Sequence, residues 1–331
     1  MNVFHRRLDH NDYTVAWVCA LGCELDAARA LLDEEDHPVK ALLGDDNVYF
    51  LGCMGQHNVV IVTPGAYGPS STAQSVTQLV RTFPNIRFGL LVGLGGGAPD
   101  PPRNNPNEDI RLGDVVVSEP IDDYGGVLNY DVQKWRNEDF SEIESRLDEP
   151  PVVLLKAIER IRLDHRFSME KMWANIQIAC QKFEHLPEPI YRPTPHRDAD
   201  QLFRPGYRHI EGKTDCRECD VDQTINRFPR NSNRPVVHYG LIASANTPVK
   251  SSQIRDRLRN SCGVSCLEVG AGGSLMNFPC LVIRGICDYC DSHKSKQWQP
   301  YAAVTAAAYA KDLLRVIGTE QVAVTKLAQA P

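Results

Sequence analysis

Short apolar runs alternate with amphipathic stretches along most of this chain, and the alternation predicts its elements. Residues 13–21 read as a buried strand, followed by a helical pattern over 24–34. Residues 48–52 and 58–63 predict an antiparallel pair around Gly55-Gln-His. The stretch 70–83 carries apolar residues at helical spacing (Val76, Leu79, Val80, Phe83) and ends before Pro84. A strand over 88–92 follows, and Gly93-Leu-Gly-Gly-Gly97 breaks the pattern. A Pro/Asn-rich loop fills 99–108, 114–118 reads as a strand, and 130–147 mixes turn and helix signals. Residues 152–162 and 251–260 predict helices, and 236–244, 264–267 and 280–283 predict strands. An Ala-rich helix spans 301–317. Strands alternating with helices give an α/β fold: three layers, α/β/α, around a mixed, mostly parallel and doubly wound sheet.

Between 164 and 234 the alternation fades into prolines, histidines and charges, which predicts an irregular insertion over one face. Residues 1–12 form an N-terminal arm, 13–318 a single domain, and 319–331 a loose tail. Composition narrows the function classes. With 36 basic against 42 acidic residues the net charge is −6, which favours neither nucleic acid nor an anionic membrane as partner. No apolar run is long enough to span a bilayer, and the first residues lack a secretory h-region. Eleven cysteines, several in apolar runs, fit reduced thiols in the cytoplasm.

Chemistry concentrates at strand ends, where α/β sheets bind ligands. The run 280–283 delivers Arg284 and then Asp288, and Glu268 ends the strand before it, so two acidic residues meet as a catalytic pair. The turn Gly65-Ala-Tyr-Gly68-Pro-Ser70-Ser71-Thr72 offers hydroxyls and free helix-start N–H groups to an anionic or hydroxyl-rich ligand; an ordinary N-capped helix entry is the simpler reading. Gly93, Gly95 and Gly96 let backbone approach a ligand, without forming the dinucleotide fingerprint. Cys216-Arg-Glu-Cys219, with His209 nearby, has zinc-knuckle spacing at one end. A structural zinc takes four ligands and the sequence offers no evident fourth, so free thiols are expected and no metal is required.

Taken together, Glu24, the Gly65 turn, the Gly93 run, Gly240-Leu-Ile-Ala-Ser-Ala-Asn246, Glu268 and Asp288 resemble in order and spacing the purine nucleoside and uridine phosphorylase superfamily. The methylthioadenosine/S-adenosylhomocysteine nucleosidases and fungal nucleoside phosphorylase-like domains are nearest in look. The resemblance is most specific in Phe88-Gly-Leu-Leu-Val-Gly-Leu-Gly-Gly-Gly97, Asp109-Ile-Arg-Leu-Gly-Asp-Val-Val-Val-Ser118, His238-Tyr-Gly-Leu-Ile-Ala-Ser244 and residues 278–293. It implies that Asp288 protonates a purine leaving group and that Glu24 activates the attacking water. The resemblance also implies a homo-oligomer (dimer, trimer or hexamer). Phosphorylases carry an arginine just before the glycine run, where this chain has Leu91-Val92, so hydrolysis is expected over phosphorolysis, although Ser70, Ser71 and Thr72 could still bind phosphate. The family's Glu-Met-Glu reads Glu268-Val269-Gly270 here, which removes a carboxylate that grips the ribose diol. A larger, less polar sugar site follows.

Two further readings compete with cleavage of a purine nucleoside. One is a repurposed enzyme of the same fold acting on a non-nucleoside substrate such as an isoprenoid diphosphate, with Asp122 and Asp123 holding Mg²⁺. The other is a non-catalytic ligand sensor.

Overall fold

The predicted alternation is realised in a computed structural model that describes residues 6–40, 42–65, 68–101, 104–130, 148–184, 200–270 and 278–329. In chain order the elements are β1 (Val15–Val18), α1 (Gly22–Ala30), β2 (Glu34–Glu35), β3 (Tyr49–Met54), β4 (His57–Val62), α2 (Pro69–Thr82), β5 (Phe88–Gly97), β6 (Val115–Ser118) and β7 (Val127–Asn129). Then follow α3 (Val152–Phe167), α4 (Glu170–Phe183), β8 (Val237–Ala245), α5 (Ser252–Cys262), β9 (Val264–Val269), β10 (Cys280–Asp288), α6 (Gln299–Arg315) and α7 (Thr319–Ala323). The mixed segment expected from 130 to 147 lies, past Tyr130, outside the described residues.

One sheet holds all ten strands. β1 pairs in parallel with β4 and β5; β5 continues in parallel to β10; β8 pairs in parallel with β6, β7 and β9. Antiparallel pairing is confined to β2–β3, β3–β4, β6–β10 and β5–β9. The mostly parallel character therefore stands, but the sheet is not a simple open one. The path β5–β10–β6–β8–β9 returns to β5, so these strands close into a ring, and β1, β4, β3 and β2 extend from it as a flange.

Two apolar layers clothe the sheet. On one side α6 lies over β10 and β5, its alanines letting backbone approach backbone. At Gly285 the approach is so close that a side chain would occupy the position of the Ala302 carbonyl. On the other side Val76, Leu79 and Phe83 of α2 pack against Val60, Val62 and Leu91.

Three differences from the sequence reading have physical causes. β5 does not stop at Val92 but runs through the glycines to Gly97, held by ladders to β10 and β9. The segment after 164 is not wholly irregular: α4 buries Met172, Ile176, Ala179, Cys180 and Phe183 in the same core as α6. The chain end is not loose either. Val322 is buried, Ala328 N–H donates to the Ile86 carbonyl at 2.8 Å, and Arg87 donates to the Thr325 carbonyl at 2.7 Å.

Candidate functional site

The ends of β5, β9 and β10 and the start of α1 frame a cleft of about 450 Å³. Glu24 is its most constrained side chain. It sits in the first turn of α1, fully enclosed, with Oε1 accepting from Leu94 N–H (2.7 Å) and Oε2 from Ala20 N–H (2.7 Å) and Leu21 N–H (3.0 Å). Burial pushes this carboxyl above its ordinary value, against the opposing pull of Arg284 and the three amides. Arg284 reaches the cleft from β10 and donates from Nη2 to Glu268 Oε2 at 2.6 Å, a pair shielded from solvent on both sides. Glu24, Arg284 and Glu268 thus form an acid–base–acid row on the cleft wall.

Asp288 lies at the end of β10, opposite Gly96 of β5. Its Oδ1 accepts from Cys290 N–H at 2.8 Å, and its Oδ2 lies 3.2 Å from Lys294 Nζ. Burial works against the Lys294 ammonium, yet the Asp288 carboxylate lifts it above the ordinary lysine value. Lys294 is a site residue that the sequence reading missed. Its signal was weak, one lysine in the polar stretch Asp291-Ser-His-Lys294 after the strand.

The glycine run now has a mechanical explanation. A Cβ on Gly93 would lie 2.6 Å from Glu24 Oε1 and against Arg284 Nη1. On Gly96 it would lie 2.7 Å from Asp288 Oδ1 and against Cys290 Sγ, and on Gly95 it would lie 3.1 Å from Arg284 Cβ. These glycines are flat so that the polar side chains of neighbouring elements can lie across them.

The other expected positions divide. Val269 lines the cleft beside Glu268, together with Lys250, Lys296 and Tyr130. Gly270 follows with φ +113°, and a Cβ there would meet only Thr72 Oγ1, at 3.8 Å; this places the start of α2 near Gly270. Gly68 is the N-cap of α2 with φ +117°, no side chain caps the helix, and Thr72 Oγ1 donates to the Gly68 carbonyl. Gly65, Ser70, Ser71 and Asn246 are not among the residues lining the cleft. Leu91 and Val92 are buried in the two apolar layers. Asp122 and Asp123 are exposed on a turn, Asp122 with φ +50°, and neither lines the cleft.

The Asp288–Lys294 loop is held by its surroundings. The Tyr289 hydroxyl meets Asp200 (2.5 Å) and Arg227 (2.9 Å), and the Tyr289 carbonyl accepts from Arg255 of α5 at 2.8 Å. Ser292 Oγ accepts from His209 N–H at 3.0 Å. Residues 200–227 therefore act as a brace for the segment carrying Asp288. In that brace the ligand atoms of His209, Cys216 and Cys219 lie within 4.8 Å of one another. Among the described residues this is the one such grouping of three or more, and none of the eleven cysteines is in a disulfide.

Comparison with known proteins fits this frame. The chain is similar to a nucleotide-binding leucine-rich repeat (NLR)-like protein of Hyaloscypha variabilis, 40% identical over 310 residues, covering 93% of this chain. It spans only 30% of that relative's length. Among solved structures it is similar to futalosine hydrolase of Helicobacter pylori (TM-score 0.55, 15% identity, 92% of this chain and 97% of that one). It is also similar to the H. pylori 5′-methylthioadenosine/S-adenosylhomocysteine nucleosidase (TM-score 0.55, 14% identity, 92% and 98%). At such identities the likeness carries the fold alone. The family model described as the phosphorylase superfamily matches residues 14–317, nearly the whole described architecture, and this chain belongs to that superfamily.

Proposed function

We propose that this protein cleaves the N-glycosidic bond of a purine nucleoside or nucleoside analogue, by hydrolysis rather than phosphorolysis. One observation carries the reading: a buried, backbone-held carboxylate (Glu24) and an accessible one (Asp288) face the same cleft, with Arg284–Glu268 beside them. Departure of a purine leaves an anion unless the base is protonated as positive charge develops on the sugar. Asp288, at the end of β10, delivers that proton. Glu24, raised by burial and fixed by three N–H groups, holds and deprotonates the attacking water. Arg284 holds Glu268 aimed at the cleft through its 2.6 Å hydrogen bond, so carboxyl oxygens line the side on which the sugar cation develops. Leu91 and Val92 offer no cation to a phosphate, which supports water as the nucleophile.

The sugar end of the cleft departs from that of a nucleosidase. Gly270 supplies no carboxylate for a ribose diol, and its backbone, at φ +113°, favours glycine over any side chain that would restore one. The altered part is thus the ribose site, and the substrate is a purine nucleoside or analogue held without that second carboxylate. The test is direct: purified protein is incubated with adenosine, inosine and methylthioadenosine, with and without phosphate, and free base is followed by chromatography. Base release without phosphate is expected. Release only with phosphate would make the enzyme a phosphorylase, and no release from any nucleoside, including ribose-modified ones, would overturn the reading.

A second reading rests on the resemblance to one part of a much longer NLR-like relative: a domain that binds a nucleoside without turning it over. Nucleoside binding by calorimetry in the absence of any base release would favour it.

A further inference from the structure

We propose that His209, Cys216, Cys219 and His293 hold a structural zinc ion that clips the 200–227 brace to the loop carrying Asp288. Zinc with two sulfurs at about 2.3 Å and two nitrogens at about 2.0 Å puts neighbouring ligand atoms about 3.3–3.8 Å apart. The atoms of His209, Cys216 and Cys219 lie within 4.8 Å of one another, so a small contraction closes three corners of that tetrahedron. His209 Nε2 is hydrogen-bonded to the Asp215 carbonyl at 2.9 Å, which fixes the proton there and leaves Nδ1 as the metal-facing lone pair.

The independent observation is His293. Its side chain is 3% exposed, and neither ring nitrogen has a hydrogen-bond partner. Nδ1 faces Asp291 Oδ1 beyond hydrogen-bond distance and Nε2 has no hydrogen-bond partner, a costly state for a buried imidazole that a metal ion would relieve. The ring packs edge-on against His209 (centroids 5.4 Å apart), and Cys216 Sγ lies 4.0 Å from the His293 carbonyl oxygen. Phe203 stacks on it at 3.9 Å and makes a dry wall. His293 lies outside the grouping of His209, Cys216 and Cys219, so metal binding requires its ring to turn Nε2 toward them, with Nδ1 closing from 3.7 Å onto Asp291 Oδ1 as the orienting carboxylate. Two ligands follow one another closely in the brace, one precedes them, and the fourth comes from across the fold, five residues after Asp288. With four protein ligands the site is closed, so its role is to hold the loop and not to activate water.

The experiment is metal analysis of the full chain, purified under reducing conditions without chelator, followed by Co²⁺ replacement of the metal. About one zinc per chain is expected, together with a Co²⁺ spectrum showing both sulfur charge-transfer and tetrahedral d–d bands. Cys216→Ser with Cys219→Ser should abolish stoichiometric binding, and His293→Ala should weaken it at least tenfold and change the d–d bands. Asp291→Asn should keep one metal per chain and weaken affinity by roughly 10–100-fold. Should the double cysteine variant fail to fold, the wild-type Co²⁺ spectrum decides. Absence of metal and of any Co²⁺ bands, with both thiols shown to be reduced, would overturn the site. Unchanged affinity and spectrum in His293→Ala would overturn the fourth ligand.

Discussion

Asp288 accepts from Cys290 N–H and from the Cys287 thiol and pairs with Lys294, so asparagine in its place preserves shape while removing the acid. Asp288→Asn should lower base release by about 10²–10⁴-fold with little change in melting temperature, as followed by chromatography and differential scanning fluorimetry. Glu24 couples activity and stability to pH in opposite senses. Its folded value is raised, so its proton favours the folded state fully below the ordinary glutamate value of about 4.3, and that contribution disappears as pH rises through the raised value. The water-holding role needs the carboxylate. The acid limb of kcat/KM should therefore lie above about pH 4.3, and a limb at or below it would remove Glu24 from that role. Gly270→Glu tests whether the sugar site is altered in side chain only. At φ +113° the substitution should cost about 1–3 kcal/mol by denaturant titration and fail to improve ribonucleoside turnover.

At the scale of elements, the strands with uninterrupted apolar runs were legible, and so was the period of α2. The extension of β5 was not. Glycine is a poor strand former; ladders to β10 and β9 hold the run extended, and the side chains of Glu24, Arg284 and Asp288 lying across it require its residues to be glycine. α4 left a readable stripe at Met172, Ile176, Ala179, Cys180 and Phe183, obscured by the prolines and charges that follow it. Glu268 and Asp288 were legible as strand-end carboxylates from pattern alone, whereas Glu24, in the first turn of α1, was singled out by the family resemblance. Lys294 and His293 escaped because loop residues acquire their neighbours from topology. Asp114, just before β6, ties the segment that follows the brace to the sheet: it accepts from Arg230 Nη1 (2.7 Å) and Nη2 (2.6 Å), Val236 N–H, Arg111 N–H and His238. Burial works against this carboxylate, yet Arg230 and His238 outweigh it and hold the group far below the usual aspartate range. Its contribution is present above about pH 4 and lost as pH falls toward the depressed value. Asp114→Ala strands a buried guanidinium and should destabilise the fold by about 3–5 kcal/mol, measured by urea unfolding.

Across the whole molecule, the closing of strands into a ring could not be read from any single segment, because it depends on β10 pairing with both β5 and β6. The chain end shows the same reliance on distant partners. Removing residues 319–331 uncovers Ile86 and Ile317 and deletes the Thr325 carbonyl to which Arg87 Nη1 donates, so the truncated chain should melt several degrees lower. An unchanged melting temperature would show the docking to be superficial. Because β10 is bonded along both edges, it cannot slip in register without breaking two ladders at once. Arg284, in the part bonded on both edges, is thereby fixed in the ring, and Asp288 follows an irregularity in the ladder after Ile286. Whatever molecule this scaffold accommodates, selectivity must be tuned from the rim, by exchange of surrounding loops, while the reacting groups stay anchored where they are.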